Sequence, residues 1–362
     1  MALLRRMTPA AAAVAALAFA GPAPGEPREP PAPQRHRIIF DTDFGMIPQD
    51  DAYALMLALH SPELEILGIT TVAGNWSIEQ GTADVLRFLE IAERRDLPVY
   101  AGADMPLVHE PDEYARTTYG SWWSDAPPTP PPGGFAEKKA EALGAVQFIV
   151  DTVEQNPGAV TLLAIGPLTN VAMALRQAPG LAAKVKRLVI MGGAVAVLPD
   201  GAGNMTPAAE FNFWVDPEAA RIVLRSGIPI ELSPLNVSRK AAMTRAWFEK
   251  LVAADTPFTR LIRELDGPRY AEDPERVVFM YDQIAVASLI DPTLVTTTEL
   301  YVDVDTNPGV SYGAALGFDR IWPGAEGARK MAVQYDLDWE RFIRMFIERV
   351  TRPIPARPAS QR

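Results

Sequence analysis

Residues 37–60 constrain the fold of this chain more than any other stretch of its sequence. An apolar run at residues 38–40 is followed by four aspartates, and residues 52–59 continue as an unbroken apolar run with helical spacing. The four aspartates are Asp41, Asp43, Asp50 and Asp51. A buried strand that ends in acids, directly before a helix, is typical of α/β sheets, which bind ligands at the carboxyl ends of their strands.

A single aspartate at the start of a helix has a structural explanation. Its side chain caps free backbone N–H groups, and the helix dipole favours its negative charge. This explains Asp50 or Asp51 alone, but it does not explain four acids together. Clustered carboxylates have raised pKa values unless a cation neutralises them, and hard oxygen ligands favour Ca²⁺ or Mg²⁺. The sequence therefore predicts a metal or catalytic site at this strand end.

The rest of the chain alternates apolar runs with helical periods. We predict strands at residues 64–72, 97–101, 160–165, 187–191, 229–232, 300–305 and 330–335. We predict helices at residues 78–94, 138–156, 168–176, 241–265 (one or two helices), 281–289 and 339–350, and loops at residues 116–134 and 199–215. This alternation predicts one α/β domain at residues 36–351, with a mostly parallel open sheet, helices on both faces and a Rossmann-like core.

The two ends of the chain have a different composition from the domain. Residues 1–20 have the pattern of a signal peptide, with two arginines, an apolar run and a small-residue cleavage site, which predicts export to the periplasm or secretion. The apolar run is too short to span a bilayer, so we expect no membrane span in the mature protein. Residues 21–35 form a proline-rich tether, and residues 352–362 form a C-terminal tail.

Composition excludes several classes of partner and site. The formal net charge of −11 argues against nucleic acid as a partner, because phosphate binding needs a basic surface. The chain has no cysteine, so it has neither disulfides nor thiolate metal ligands.

Polar residues that could bind a ligand follow later strands. Asn75 comes directly after the predicted strand at residues 64–72, and taken alone it is typical of a turn. Asn204, Glu210 and Asn212 lie among apolar residues in the predicted loop at residues 199–215. Pockets that bind sugar hydroxyls have this composition, and so do solvated loops.

The predicted loop at residues 116–134 is rich in aromatic residues and proline. It contains Tyr119, Trp122 and Trp123, followed by a PPTPPPGG run. Aromatic loops near a ligand edge are often lids that exclude water, whereas a packed proline-rich excursion has the same composition. Both interpretations stay open at this level.

These motifs, taken in order, resemble those of the nucleoside hydrolases, the inosine-uridine-preferring family of N-ribosyl hydrolases. The matching blocks are DTDFG with the following DDA, ITTVAGN, AIGPLTNVAMAL, LVIMGGA, GNMTPAAEFNFWVDPEAA and the helix that begins at Asp282. The resemblance covers almost all of the expected mature chain. It implies hydrolysis of the N-glycosidic bond of a ribonucleoside, or a related N-riboside, to free base and ribose. It also allows a homodimer or a homotetramer.

The resemblance further implies a role for individual residues. Asp43, Asp51, Asp282 and the backbone carbonyl of Ile165 would bind Ca²⁺, and Asp43 would act as general base on a Ca²⁺-bound water. The ribose and its hydroxyls would be contacted by Asp50, Asn75, Met191, Asn204, Glu210 and Asn212. Such an arrangement suits a reaction whose transition state carries positive charge on the sugar, because carboxylates stabilise that charge.

The chain departs from the family pattern in two places. Residues 46–49 lengthen the acidic motif, so we expect a different loop over the metal. The family places a histidine near the late metal aspartate and another in the lid loop, and this chain has Tyr281 and Tyr119 there. We therefore expect Tyr281 or Tyr119 to be the leaving-group acid, although tyrosine is a weaker acid than imidazole at neutral pH. The three histidines, His36, His60 and His109, are predicted to be surface or structural residues.

Two other functions fit parts of the sequence. An exported, non-catalytic nucleoside- or sugar-binding protein would keep these contacts and lack the leaving-group acid. The DTDFG motif also matches the start of haloacid dehalogenase-like phosphatases, whose first aspartate is a nucleophile. Those enzymes need Thr or Val where this chain has Gly45.

Overall fold

The computed structural model describes residues 35–355. The predicted signal peptide, nearly all of the predicted tether and the end of the predicted tail lie outside the described residues. Among the residues that are described, no helix is long and apolar enough to cross a membrane.

The described residues form eleven strands, nine of which make a central sheet and two of which make a separate pair. The strands are β1 His36–Thr42, β2 Leu64–Thr71, β3 Val99–Ala101, β4 Val160–Ala164, β5 Arg187–Met191, β6 Ile230–Ser233, β7 Ala242–Thr244, β8 Val277–Phe279, β9 Val295–Val304, β10 Ala315–Phe318 and β11 Arg329–Leu337. The order in the sheet is β10-β9-β11-β6-β5-β4-β1-β2-β3, and β7 and β8 form a separate pair. In the order of the sheet, the seven strands β11-β6-β5-β4-β1-β2-β3 are parallel to their neighbours. Strand β9 is antiparallel to both β10 and β11. The predicted mostly parallel open sheet is thereby confirmed.

Strand β1 shows why its sequence suits the middle of this sheet. Ile38 and Phe40 pack into the apolar layer on one face, and Ile39 packs into the layer on the other face. All three side chains are fully buried. A parallel strand with helices on both sides is buried on both faces, which explains the continuous apolar run.

Helices cover both faces of the sheet. They are α1 Asp50–Leu59, α2 Ile78–Ile91, α3 Glu113–Thr118, α4 Ala145–Gln155, α5 Thr169–Gln177, α6 Phe211–Val215, α7 Pro217–Leu224, α8 Leu235–Ser238, α9 Arg245–Val252, α10 Pro257–Leu265, α11 Gly267–Glu272, α12 Asp282–Ile290 and α13 Trp339–Val350. Helices α1, α2, α12 and α13 contribute to the apolar layer on one face, and α4, α5 and α7 contribute to the layer on the other.

One predicted helix begins seven residues later than expected. The prediction was residues 138–156, but α4 starts at Ala145, with Gly144 as its N-cap. The segment before α4 lies against the start of β3, where the Glu141 N–H donates to the carbonyl of Val99, the first residue of that strand, at 2.8 Å. The Lys138 ammonium donates to the Arg95 carbonyl at 2.9 Å. These long-range bonds replace the local bonds of a helix.

Both predicted loops contain a short helix. The last residues of α3 fall in the loop at residues 116–134, and α6 occupies the end of the loop at residues 199–215. Trp122 is fully buried and packs edge-on against Trp214, with ring centroids 5.6 Å apart. The part of the loop around Trp122 is therefore packed against the rest of the protein. Tyr119, in the same loop, is 46% exposed.

The strand order places the site. The chain runs outward from β1 to β2 and β3 in one direction, and from β4 to β6 in the other. The carboxyl ends of β1 and β4 therefore lie at the switch point, where open α/β sheets bind ligands. Helices α1 and α12 pack against each other, and both begin at this edge.

Candidate active site

A cavity of about 410 Å³ lies at the switch point and collects residues from distant parts of the chain. Its lining includes eleven of the predicted site residues, namely Asp43, Asp50, Asn75, Tyr119, Ile165, Met191, Asn204, Glu210, Asn212, Tyr281 and Asp282. Asp51 does not line the cavity, because it is fully buried beside it. We call this space the sugar-side cavity.

Three carboxylates converge at the start of helices α1 and α12. Oxygen atoms of Asp50, Asp51 and Asp282 lie within 4.8 Å of one another, a spacing that could hold a metal ion. Gln283 ties the two helix ends together, because its side-chain amide donates to the Asp50 carbonyl at 3.2 Å. The helix dipoles favour negative charge at these ends.

The buried carboxylates have strongly shifted pKa values. Burial, followed by the charge of Asp50, raises the pKa of Asp51 to about 8. Burial raises the pKa of Asp50 to about 6. Burial and the neighbouring carboxylates raise the pKa values of Asp43 and Asp282 well above the usual range. Within residues 35–355, none of these four carboxylates forms an ion pair with Lys, Arg or His within 4.0 Å.

Asn75 and Thr42 position the cluster. The Asn75 backbone N–H donates to Asp43 Oδ2 at 2.7 Å, and its side-chain amide donates to Asp51 Oδ2 at 3.0 Å. The Thr42 hydroxyl donates to the other oxygen of Asp51. Asp51 is thus fixed from two sides. The role of Thr42 is not evident from the sequence, because its contact with Asp51 depends on how α1 packs against the end of β1.

Asp41 is not part of this cluster, although it belongs to the same acidic motif. Its carboxylate accepts hydrogen bonds from the Thr70 hydroxyl and from the Asn170 amide, the latter at 2.8 Å. Burial raises its pKa to about 6. The expectation that all four acids meet at one site is therefore wrong for Asp41, which joins β1 to β2 and α5. An Asp41 that is fully buried and outside the sugar-side cavity is also a poor candidate for a phosphatase nucleophile.

Glu210 and Asn212 form the opposite wall of the sugar-side cavity. Glu210 caps α6, since its carboxylate accepts from the backbone N–H groups of Gly193 at 2.7 Å and Asn212 at 2.9 Å. Burial raises its pKa to about 7. The Asn212 amide donates to the Ile165 carbonyl at 3.0 Å and to the Met191 carbonyl at 3.2 Å. These contacts fix the ends of β4 and β5 against α6.

Asn204 lies exposed at the rim, in a loop that Arg239 holds. The Arg239 guanidinium donates to the backbone carbonyls of Asp200, Ala202 and Gly203. No local pattern indicates this role of Arg239, because Arg239 follows α8 and contacts a loop more than 30 residues earlier in the chain.

Tyr119 and Tyr281 also line the sugar-side cavity. Tyr281 is the N-cap of α12, and burial, followed by the Asp50 charge, raises its pKa to about 12. Burial and the same carboxylates also raise the pKa of Tyr119. The Tyr119 ring packs edge-on against Phe211, with centroids 5.1 Å apart. Both phenols therefore remain protonated at neutral pH.

The three histidines lie outside the sugar-side cavity, as predicted. The buried His60 ring bonds the backbone carbonyls of Met56 and Arg352, at 2.7 and 3.0 Å. His109 bonds the Trp214 carbonyl at 2.9 Å, and its ring packs against Trp214. His36 lies at the start of β1 and is half-buried.

Comparison with known proteins decides which family contains this site. The sequence profile of the inosine-uridine preferring nucleoside hydrolases matches residues 38–344. The chain belongs to this family. A nucleoside hydrolase acts on N-glycosyl compounds, so the protein is a hydrolase of that class.

Relatives of this nucleoside hydrolase match it over most of their length. The pyrimidine-specific ribonucleoside hydrolase RihA of Salmonella paratyphi A is 39% identical over 319 residues, which are 86% of this chain and 97% of that protein. A plant nucleoside hydrolase structure has a TM-score of 0.75 at 29% identity and covers 89% of this chain and 100% of its own. The purine-preferring ribonucleoside hydrolase of Gardnerella vaginalis has a TM-score of 0.70 at 28% identity, with coverage of 87% and 98%. These neighbours share the nine-stranded architecture.

The residues of this nucleoside hydrolase fit a divalent cation. Every side chain in the cluster offers a hard oxygen, and no cationic side chain among the described residues pairs with it. The geometric group is Asp50, Asp51 and Asp282, whereas the resemblance implied Asp43 in place of Asp50. Asp43 lines the same cavity and also raises the pKa of Asp282 by its charge, so it is a close neighbour of the group.

Proposed function

We propose that the protein hydrolyses the N-glycosidic bond of a ribonucleoside to free base and ribose, with Ca²⁺ as cofactor. The observation that carries this proposal is the buried carboxylate cluster at the switch point, which no cationic side chain within residues 35–355 neutralises. Such a cluster suits two kinds of positive charge. One is a resident divalent cation, and the other is the charge that develops on the sugar in the transition state.

The sugar-side cavity supplies contacts for ribose. Asp50, Asn75, Asn204, Glu210 and Asn212 offer carboxylate and amide groups, and sugar hydroxyls both donate to and accept from such groups. The buried Met191 offers an apolar contact. We infer that this wall orients the ribose so that its anomeric carbon faces the carboxylate cluster.

Asp43 is our proposed general base. It lines the cavity, and Asn75 holds one of its oxygens, so its orientation is fixed before substrate binds. When bound, Ca²⁺ would orient the ribose diol and lower the pKa of an attacking water. A cation beside Asp43 would also lower the pKa of that carboxyl, which leaves it ionised and able to accept a proton. Asp51 and Asp282, together with the Ile165 carbonyl, are the other proposed ligands.

The departing base needs a proton or another source of stabilisation. Tyr281 and Tyr119 line the sugar-side cavity together with Asp43, Asp50 and Asp282. A phenol that stays protonated at neutral pH can donate to the leaving nitrogen as the bond breaks. We propose Tyr281 as the first candidate, because it directly precedes Asp282.

Base release from a panel of nucleosides tests the proposed function. The protein is incubated with uridine, cytidine, inosine and adenosine, in CaCl₂ and in EDTA. We expect equal amounts of free base and ribose from at least one nucleoside, and a large loss of activity in EDTA. RihA is described as pyrimidine-specific, so uridine and cytidine are the first substrates to test.

The second candidate function is a non-catalytic binding protein. It is favoured by one observation, since no histidine lines the cavity where an efficient acid would be useful. Nucleoside binding by calorimetry, with no ribose released from any member of the panel, would establish it and would contradict hydrolysis.

Export is a separate proposal that rests on residues 1–20, which lie outside the described residues. We propose that the mature protein is periplasmic or secreted. Fractionation of cells that express the full chain should place a shortened product outside the cytoplasm, whereas a full-length cytoplasmic product would contradict export. Sedimentation of the same product would distinguish a homodimer from a homotetramer.

A further inference from the structure

A second cavity adjoins the sugar-side cavity. The two share Asp50, Tyr119 and Tyr281, and the second has a volume of about 630 Å³. We call it the aglycone-side cavity. The amides and the glutamate proposed to hold ribose line the first cavity only. A group attached to the sugar would therefore pass the shared residues and enter the second cavity.

The inserted loop forms one wall of the aglycone-side cavity. Residues 46–49, which lengthen the acidic motif, all line it, and so do residues 130–132 of the proline-rich segment. Met46 and Ile47 are buried in the apolar layer. The Gln49 N–H donates to the Met46 carbonyl at 3.1 Å, which closes the loop as a turn. The insertion is therefore a packed part of the wall.

Two residues of α2 brace this wall. The Asp84 carboxylate accepts from the Met46 backbone N–H and from the Gln80 side-chain amide, the latter at 3.0 Å. The Gln80 side-chain oxygen Oε1 accepts from the Thr129 backbone N–H at 2.7 Å. The inserted loop and the proline-rich segment are thereby tied to the same helix. A braced wall can hold a side chain in a defined position toward a ligand.

Gln49 is the polar side chain that this loop presents beside the shared residues. A Cβ atom added at Gly45 would lie 2.5 Å from Gln49 Cγ and 2.8 Å from Trp76 Nε1, so Gln49 and Trp76 pack over Gly45. The Gln49 side chain hydrogen-bonds the Tyr119 hydroxyl. A glutamine amide has two N–H donors and one carbonyl acceptor. If one donor is used for Tyr119, a donor and an acceptor remain.

We propose that Gln49 is a specificity-determining residue that selects aglycones with a hydrogen-bond donor next to an acceptor. This inference rests on the proposed function. The edges of uracil, cytosine and hypoxanthine have adjacent donor and acceptor groups, which a side-chain amide matches with two hydrogen bonds. A p-nitrophenyl group has only acceptors. Gln49 thus supplies polar recognition beside Tyr119 and Tyr281, which line the same cavity.

A comparison of two substrate types tests this role. Gln49→Met keeps the length of the side chain and removes its hydrogen bonds. We expect kcat/KM for uridine and inosine to fall about 10- to 100-fold. The donor and acceptor groups of the base would then lose their hydrogen-bond partners on Gln49, which is costly in a binding site. For p-nitrophenyl β-D-riboside, kcat/KM should change less than about 3-fold. The Kd for free ribose should stay unchanged.

Gln177→Met is the matched control, because Gln177 is an exposed glutamine in α5 whose side chain hydrogen-bonds only Gln147 among the residues that the structure describes. It should leave both substrates unaffected. Equal losses of Gln49→Met on both substrate types, or no loss on either, would overturn the role of Gln49. If the wild type cleaves neither substrate type, the proposed function fails, and the inference falls with it. Gln49→Ala provides a second variant if the melting temperature of Gln49→Met drops.

Discussion

At the scale of single residues, two aspartates of one motif have different roles. Asp51 joins Asp50 and Asp282, whereas Asp41 bonds Thr70 and Asn170. The sequence places Asp41 at the end of β1 and Asp51 at the start of α1, but it does not determine the direction of each carboxylate. For Asp41, that direction depends on Thr70 and Asn170, which lie 29 and 129 residues away in the sequence, so no local pattern contains them.

This difference predicts that changing aspartate to asparagine has different effects at Asp51 and at Asp41. Asp51→Asn removes one negative charge from the cluster, so we expect a loss of about 10²–10³-fold or more in kcat and much weaker Ca²⁺ binding. Asp41→Asn should lower the melting temperature and keep Ca²⁺ binding. Calorimetric titration with Ca²⁺ and base-release assays would check both. Loss of activity in Asp41→Asn, together with release of phosphate from a monoester by the wild type, would favour a phosphatase instead.

Tyr281 makes a further prediction at this scale. If it protonates the leaving base, Tyr281→Phe should lower kcat for uridine by about 10²-fold, and far less for p-nitrophenyl riboside, whose leaving group needs no proton. Its raised pKa of about 12 predicts no loss of rate from its ionisation below about pH 11. Unchanged turnover of Tyr281→Phe on the best nucleoside substrate would remove it as the acid.

At the scale of elements, the central strands were predictable and the edges of the fold were not. Strands β1, β2, β4, β5 and β6 are buried on both faces, so their apolar runs are evident in the sequence. Strands β7, β8 and β10 have three or four residues and depend on their partners. The late start of α4 has the same cause, since backbone bonds to β3 outweigh helical periodicity.

The Arg239 contact predicts how one loop controls affinity. Arg239 donates to three carbonyls just before Asn204, so Arg239→Ala should loosen that loop. We expect the KM for a nucleoside to rise about 5- to 10-fold, with kcat within about 2-fold. Lys240→Ala is the control, because Lys240 makes only long ion pairs of 3.6 and 3.7 Å with Asp200 and Asp336. An equal rise in KM for both variants would contradict a specific role of Arg239.

At the scale of the whole molecule, the buried acids link stability to pH and to metal. The pKa of Asp51 is about 8 in the folded protein against an ordinary value of 3.8, and that of Glu210 is about 7 against 4.5. A folded state that binds more protons than the unfolded chain loses stability as pH rises through this range. A divalent cation competes with those protons, so its effect should be larger at high pH.

Thermal melting therefore has a defined pattern. In EDTA, the melting temperature should be lower at pH 8 than at pH 6. Saturating CaCl₂ should raise it, on the order of 5 °C, and more at pH 8 than at pH 6. Asp51→Asn should abolish most of the Ca²⁺ effect. A wild-type melting temperature that does not respond to Ca²⁺ at either pH would contradict a cation site in the cluster.

The most direct test of the whole account is a crystal structure of the protein grown with calcium, with anomalous diffraction to locate the ion. We predict one Ca²⁺ bound by carboxylate oxygens from Asp51 and Asp282, with Asp43 or Asp50 and the Ile165 carbonyl beside it, at about 2.3–2.6 Å. An ion at this site would join the two ends of the domain around the sugar-side cavity. A structure without an anomalous peak there, and with the Asp282 carboxylate turned away from Asp51, would contradict the account.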